Sequence, residues 1–434
     1  MSTMTREEKI NLVKQILKEI TMGADPDKLK KKYGPILREI SPFEIAVIEQ
    51  QLIREGIKPE DILKVCDIHV DMFREYLKGQ EIEGVPEGHP LDLLIRENME
   101  IMKTAEALSL YASAVKNAEK PEEKKRHLDI ALKILVKLKD MIRRHYRKNQ
   151  MLLFPYLEKR GIDAVPRVLW GREDQVIVEI RKILGEKPST PEEMDKLADR
   201  LAKIAMDIAD IGFRENKILY PAAWTLLSEG DRAAIHELAK EFGYIVPVEK
   251  EWVPKEKPVY PYMITGEIPG DKLEKLPPEI RKAVGEIKPD NYRVARHDDI
   301  DLGTGFLKRE EIISIFKHLP LEMTYADNND RVRFFTTSKL AKGFPRSKTI
   351  IGRKIGYCHP PRLEKYVMKN VEMLKKQGLL SREFWTRMGG RIIRVLIVGV
   401  RNDKGEYLGT LEIVEDMTNI VEHPEKIKEK IMVL

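Results

Sequence analysis

The 434-residue sequence predicts a multidomain chain, all-α in its first two thirds and α+β in its last third. Three observations carry this. Four long segments with apolar residues at helical spacing run between Pro90 and Glu229, joined by short Pro-, Gly-, Asp- and Ser-containing loops, which is the pattern of an up-down bundle. A proline-rich stretch follows. Beyond it, two long β-type runs flank a tight turn, the signature of antiparallel strands.

The elements follow in chain order. Residues 7–80 read as a small helical domain. Ile10, Leu12, Val13, Ile16, Leu17 and Ile20 keep helical spacing, and Gly23 and Pro26 end that helix. Leu29 to Tyr33 is a short second helix, and Ser41-Pro-Phe-Glu is a start signal for a third. Pro59-Glu-Asp opens a fourth, in which Cys66 and His69 are expected as packing or surface residues. The bundle is expected over 86–245, with helices at about Pro90–Lys116, Pro121–Arg160, Val165–Leu184 and Pro191–Glu229.

Prolines from Pro247 to Pro289 mark 246–304 as an extended, partly ordered linker with a short helix at Pro278–Val284. Residues 305–422 form the α+β domain, with helices at Lys308–His318 and Arg362–Gln377. Its strands include Arg331–Phe335, Arg391–Arg401 and Tyr407–Glu415, and Gly405 takes the turn position that needs positive φ. Alternation is read as placing Ile393, Val395, Ile397, Leu411 and Ile413 on one apolar face, with Leu408 and Val414 on the other. A sheet apolar on both faces needs a second partner surface, which predicts self-association or a protein partner.

Composition narrows the function. A net charge of +6 from 77 basic and 71 acidic residues is a mixed, solvated surface, not a nucleic-acid footprint. No apolar run is long enough to span a membrane, and the N-terminus lacks the apolar core of a secretory signal. Cys66 and Cys358 lie in different domains, so no disulfide is expected and a cytoplasmic location follows.

The chemistry-bearing residues sit at two helix ends. His145 opens H-Y-R-K-N-Q-M-L-L-F-P, and Phe213 opens F-R-E-N-K-I-L-Y-P. His89 precedes Pro90 and the first bundle helix, and the eight residues from it to Glu97 leave roughly an 80° offset, so the two can share a face. His127 shares a face with His145 but stands ~27 Å along the axis, too far for one site. These motifs resemble the hemerythrin-like (HHE cation-binding) family. The resemblance implies four helices that point His and Glu or Asp inward at two irons. It implies His89, His145, Glu215 and Glu97 as metal ligands, with Glu173 or Asp174 as further carboxylates. The site it implies is degenerate, because Asn149 or, one further, Gln150 stands where the family has a Glu, and Ile211 where it has a His. Iron or another divalent metal is the implied cofactor of the bundle.

The leader pieces L-K-K-K-Y-G, E-I-S-P-F-E-I and Q-Q-L-I-R-E-G-I resemble a helical domain of unknown function (family 438) that precedes such bundles. The order of elements after Lys308, and the closing E-I-V-E-D-M-T-N-I, resemble a PAS domain with a five-stranded antiparallel sheet. That resemblance implies a pocket for haem or a small ligand, with Cys358, His359 and Trp385 as candidate binding residues. The same residues also read as a helix start at Cys-His-Pro-Pro and as sheet packing at Trp385. The basic loop around Arg346 and Lys348 reads as an anion contact or a solvated loop. No catalytic constellation stands out. The expected function is a sensory or regulatory protein taking a small-molecule or gas signal. The alternatives are a metal- or oxygen-binding or storage protein and a di-iron redox enzyme.

Overall fold

The computed structural model describes residues 6–37, 42–58, 61–62, 82–268, 270, 274, 281, 284–285, 287–338 and 346–432. Cys66, His69 and most of the expected helix at Pro278–Val284 lie outside the described residues. The chain divides into two compact units, residues 1–294 and 295–434.

In the first unit, leader helices span Arg6–Thr21, Pro26–Leu37 and Pro42–Arg54. The first buries Ile10, Val13, Ile16, Leu17 and Ile20 of the stripe its spacing predicts, with Leu12 partly buried beside them. Four bundle helices follow at Pro90–Asn117, Pro121–Lys148, Ala164–Gly185 and Pro191–Arg214. The loops between them are short, so neighbours run antiparallel. The first and fourth starts have local causes. His89 caps the first helix by accepting from the Leu91 N–H, and Pro90 fits the first turn. Thr190 and Glu193 form a reciprocal capping box at the fourth. Asp163 caps nothing with its own side chain; instead Gln50 of the leader accepts from the Asp163 and Ala164 N–H groups at 2.9 and 2.8 Å. The leader therefore supplies the cap of the third bundle helix.

The second and fourth bundle helices each pass into a wider π turn, Asn149–Leu153 and Glu215–Leu219. The cause is the proline that follows. Pro155 and Pro221 would clash with the carbonyl four residues back, at Met151 and Lys217. A locally widened turn accommodates this, and such turns recur at functional sites. The chain then continues as short helices Phe154–Lys159 and Tyr220–Leu226, and as a further helix Glu229–Phe242.

Described residues of the proline-rich stretch meet the bundle through their backbone. Tyr156 donates to the Val259 carbonyl at 2.7 Å, and Lys159 to the Tyr292 carbonyl at 2.7 Å. Gly161 has φ 79°, and a Cβ there would lie 2.4 Å from the Lys288 carbonyl oxygen. The close crossing needs glycine twice over, for conformation and for space.

In the second unit, strands β1 (Ile300–Asp301) and β2 (Phe306–Leu307) form a small ribbon before helix Arg309–His318. The main sheet contains β3 (Glu322–Asp327), β4 (Val332–Phe335), β5 (Ser381–Met388), β6 (Arg391–Arg401) and β7 (Tyr407–Asp416). Its order is β4-β3-β7-β6-β5, antiparallel throughout. Asp330 closes the first hairpin at φ 60°, and Gly405 the last at φ 78°, as the turn chemistry predicts. Helix Pro361–Lys376 covers one face, where Ala326, Ile355 and Val371 form a small core.

The β6–β7 register corrects the expected face assignment. Val395 pairs with Val414, Leu396 with Ile413, and Val398 with Leu411. Ile393, Val395 and Ile397 therefore share a face with Val414, while Leu411 and Ile413 lie on the opposite face with Leu396 and Val398. A strand's phase cannot be read from a run apolar at nearly every position, and a one-residue error flips every side chain.

Candidate functional site

The two helix ends that carry the sequence motifs meet inside the bundle. His145, the last-turn histidine of the second helix, lies between two carboxylates. Its Nδ1 is 2.7 Å from Glu97 Oε2 and its Nε2 is 2.9 Å from Glu215 Oε2. All three side chains are fully buried. The remaining carboxylate oxygens are also taken. Lys148 donates to Glu97 Oε1 at 2.7 Å, and Asn149 donates to Glu215 Oε1 at 2.9 Å. Tyr220, from the Leu-Tyr-Pro end, places its hydroxyl 3.1 Å from His145 Nε2 and donates to Asn149 Oδ1. Glu97 also accepts from the Ile245 N–H at 2.9 Å, which ties the chain leaving the bundle to the same centre.

The electrostatics follow from this geometry. Burial alone would push the imidazole down, but Glu215 and Glu97 outweigh it and raise His145 to about 9. The His145 ring is thus an imidazolium at neutral pH. Burial would raise Glu97, yet hydrogen bonds and charge from His145 and Lys148 hold its carboxyl below the usual range. Glu173, on the third helix, is raised well above the usual range by burial and by Glu215. Gln150 donates to its Oε2 at 2.6 Å. Two protein cations therefore face Glu97 and Glu215 in a low-dielectric interior, where an unpaired charge is costly.

His89 is elsewhere. Its Nδ1 is used by the Leu91 cap, and its ring packs edge-on against Trp224 and Trp252, with centroids 5.4 and 4.6 Å away. Burial, Arg232 and His236 push it down to about 3, so the ring is neutral. Its Nε2 is buried without a hydrogen-bond partner. The expected convergence thus unites His145, Glu97 and Glu215 and leaves His89 as a helix cap in an aromatic setting. His127 packs beside Tyr111, away from the site, as its axial distance requires. Sequence reasoning gave no role to Lys148 or Tyr220. Lys148 is three residues after His145 and so near its face, but a lysine reads as solvated unless its partner is known.

Family models match the chain in three places. They are a family of unknown function, DUF438, over residues 13–79, the hemerythrin HHE cation-binding domain over 89–223, and a PAS domain over 312–418. The chain carries a hemerythrin-like domain over residues 89–223. Its DUF438 leader and PAS domain flank the hemerythrin-like bundle in sequence, and at that coarse level it is a sensory or regulatory protein. Among solved structures it is similar to the C-terminal domain of a Streptococcus mutans protein, at 30% identity and TM-score 0.28, over 30% of this chain and 98% of that one. It is also similar to the PAS domain of a Colwellia psychrerythraea protein, at 16% identity and TM-score 0.21, over 25% of this chain and 97% of that one. No curated protein matches it.

The hemerythrin-like fold implies iron, and the residues present do not fit a di-iron pair. Both ring nitrogens of His145 already face carboxylates, so the protonated ring has no lone pair to offer a metal. Lys148 holds one oxygen of Glu97, bringing a fixed positive charge to the centre. Ile211, where the resemblance implies a fourth-helix imidazole, is an apolar side chain buried at 1% exposure. Asn149 turns its amide nitrogen, a donor, toward Glu215. Among the described residues, no group of three or more His, Cys, Asp or Glu is arranged to hold a metal.

In the PAS domain the expected ligand residues are dispersed. Cys358 is exposed and His359 bonds the Ile355 carbonyl at 3.0 Å, both at the approach to helix Pro361–Lys376. Trp385 lies on β5 opposite Arg394, half exposed, with its indole N–H on Glu383. Its alternation with Phe384, which packs on Tyr366, puts Trp385 on the sheet face away from that helix. Arg346 donates to Thr324, Glu322 and Glu412 across β3 and β7, so its role here is an internal ion-pair network.

Proposed function

We propose that this protein is a metal-independent sensory or regulatory protein, in which the hemerythrin-like bundle is a charge-balanced helical module and the PAS domain provides self-association. The observation that carries the reading is His145 held between Glu97 and Glu215, with Lys148 completing the charge balance. A cation pair supplied by the protein satisfies the carboxylates that would otherwise call for metal. For the PAS domain, support comes from the outer face of its sheet, where Leu396 pairs with Ile413 and Val398 with Leu411, beside the half-exposed Trp385.

The test is metal content of the untagged full chain after expression with added iron. The expected result is far less than one iron per chain, with no change in folding on chelation. Two irons per chain with an oxo-bridged visible spectrum would overturn the reading. As a second arm, the triple change Lys148→Met, Asn149→Glu, Ile211→His restores donors and removes the fixed cation. Iron content should rise in that variant only.

A further inference from the structure

Charges on the bundle surface answer one another across neighbouring helices. Lys116 pairs with Asp199, Lys124 with Asp195, Arg172 with Asp207, and Arg200 with Glu179. The C-terminal half of the second bundle helix differs. Lys133, Lys137, Arg143, Arg144 and Arg147 are exposed there, and none has a hydrogen bond or ion pair with the described residues. At about 100° per residue they share an arc of about 120°, which also holds Asp140 and Val136, both exposed. The row runs about 21 Å along the axis. The negative end of the helix favours cations in its last turn only, which leaves Lys133 and Lys137 without that cause. Like charges crowded on one arc repel, and a partner of opposite charge relieves that cost.

The order of charges narrows the partner. Along the helix it reads Lys133, Lys137, Asp140, Arg144, Arg147, with two cations on either side of one carboxylate. The spacings are four, three, four and three residues, the steps at which an α-helix repeats one face. A second α-helix has the same rise and the same repeat, so its side chains at those steps fall opposite these. A phosphodiester backbone carries one sign of charge throughout and would meet Asp140 in the middle of the row. A lipid surface needs apolar side chains to enter it, and Val136 is the one such residue on the arc between Lys133 and Arg147. A protein segment can change sign from one residue to the next.

We propose that this face docks an acidic α-helix of a protein partner, with carboxylates opposite Lys133, Lys137, Arg144 and Arg147 and a cation opposite Asp140. The guanidiniums fork to carboxylates, and Val136, 45% exposed, adds an apolar contact. Each exposed pair is weak, so the contact is transient and salt-dependent, as a regulatory contact can be. The inference goes beyond the metal-independent reading and the PAS self-association, and its main test measures neither iron nor the PAS sheet.

The experiment is fluorescence anisotropy of the full chain with two labelled, alanine-based helical peptides of about 20 residues. One carries glutamates three or four and seven residues to either side of a central lysine, and the other has glutamate at the centre as well. The lysine-centred peptide should bind saturably at one site per chain, and at least about tenfold more weakly when salt rises from about 50 to about 500 mM. Lys133→Glu with Lys137→Glu should weaken it at least about tenfold while the thermal transition stays that of the parent. Asp140→Lys should reverse the preference, so that the all-glutamate peptide binds several-fold tighter than the lysine-centred one. All three substitutions lie at exposed positions away from the His145 centre. No saturable binding of the lysine-centred peptide, or no preference between the two peptides in the parent, would overturn the proposal. Oligothymidylate or phosphatidylserine vesicles that bind more tightly than the peptide and are released by the double variant would assign the face to nucleic acid or to membrane instead. A dimer of the parent that the double variant abolishes would assign it to a second copy of the chain.

Discussion

His145 and His89 are displaced from the ordinary histidine range in opposite directions, and both displacements set how stability varies with pH. His145 is raised to about 9 in the folded chain against 6.5 for the free side chain. Its contribution is complete below pH 6.5 and is lost as pH rises through 9, a loss of ~3 kcal/mol. His89 is lowered to about 3, so the unfolded chain takes up its proton first. Stability therefore also falls as pH drops from 6.5 toward 3. Glu97, held below the usual range, adds to the acid side, because its contribution disappears as pH falls through its folded value. Urea unfolding across pH 4 to 10 should give a maximum near pH 6 to 7; a bundle more stable at pH 9.5 than at 6.5 would refute the imidazolium assignment. Lys148→Met should cost ~3 kcal/mol, because it leaves a buried carboxylate with one partner fewer. An unchanged urea midpoint would remove Lys148 from the network. At this scale the sequence was partly legible. His145 and Glu215 stood out because each precedes a Leu-aromatic-Pro end within about two turns, and Glu97 because it lies two turns after the His89-Pro90 helix opening. The role of His89 was not legible, since a histidine before a helix-opening proline serves equally as cap or ligand. Lys148 needed the partner that only tertiary structure brings.

The elements repeat the same division between local and distant causes. Helix starts were readable because proline at the first turn and the Thr190–Glu193 box are local chemistry. The π turns at Asn149 and Glu215 were not read, although both prolines that require them were in view. The phase of β7 was misread because Tyr407–Asp416 carries apolar residues on both faces, and only pairing with β6 fixes it. Gln50 shows a cause that no helix contains by itself, since it caps a helix more than a hundred residues away. Gln50→Ala should expose the N–H groups of Asp163 and Ala164 and cost ~1–2 kcal/mol. Hydrogen exchange at these two amides should quicken while that in the fourth bundle helix does not. Equal protection in the variant would mean that another group caps the helix.

At the scale of the whole molecule, the chain has two compact units and one surface that neither local pattern nor burial fully accounts for. The outer face of the PAS sheet carries Leu396, Val398, Leu411 and Ile413 at intermediate exposure and Trp385 at 50% exposure. Leu396 and Ile413 are direct cross-strand neighbours at the centre of the sheet, where β6 meets β7. An apolar centre with a tryptophan at its margin has the anatomy of an interface core, and the proposed self-association would set a second copy of the same face against it by two-fold symmetry. Light scattering on the full chain should therefore give twice the 50.3 kDa chain mass at micromolar concentration. Leu396→Lys with Ile413→Lys places two like charges opposite each other on that face, where a dimer must desolvate both. The variant should be monomeric, and its PAS sheet should stay folded, since in the monomer both ammonium groups reach water. A dimer that survives the double change would move the contact to another surface. A wild-type chain that is monomeric at every concentration would leave the PAS domain without the self-association that the regulatory reading assigns to it.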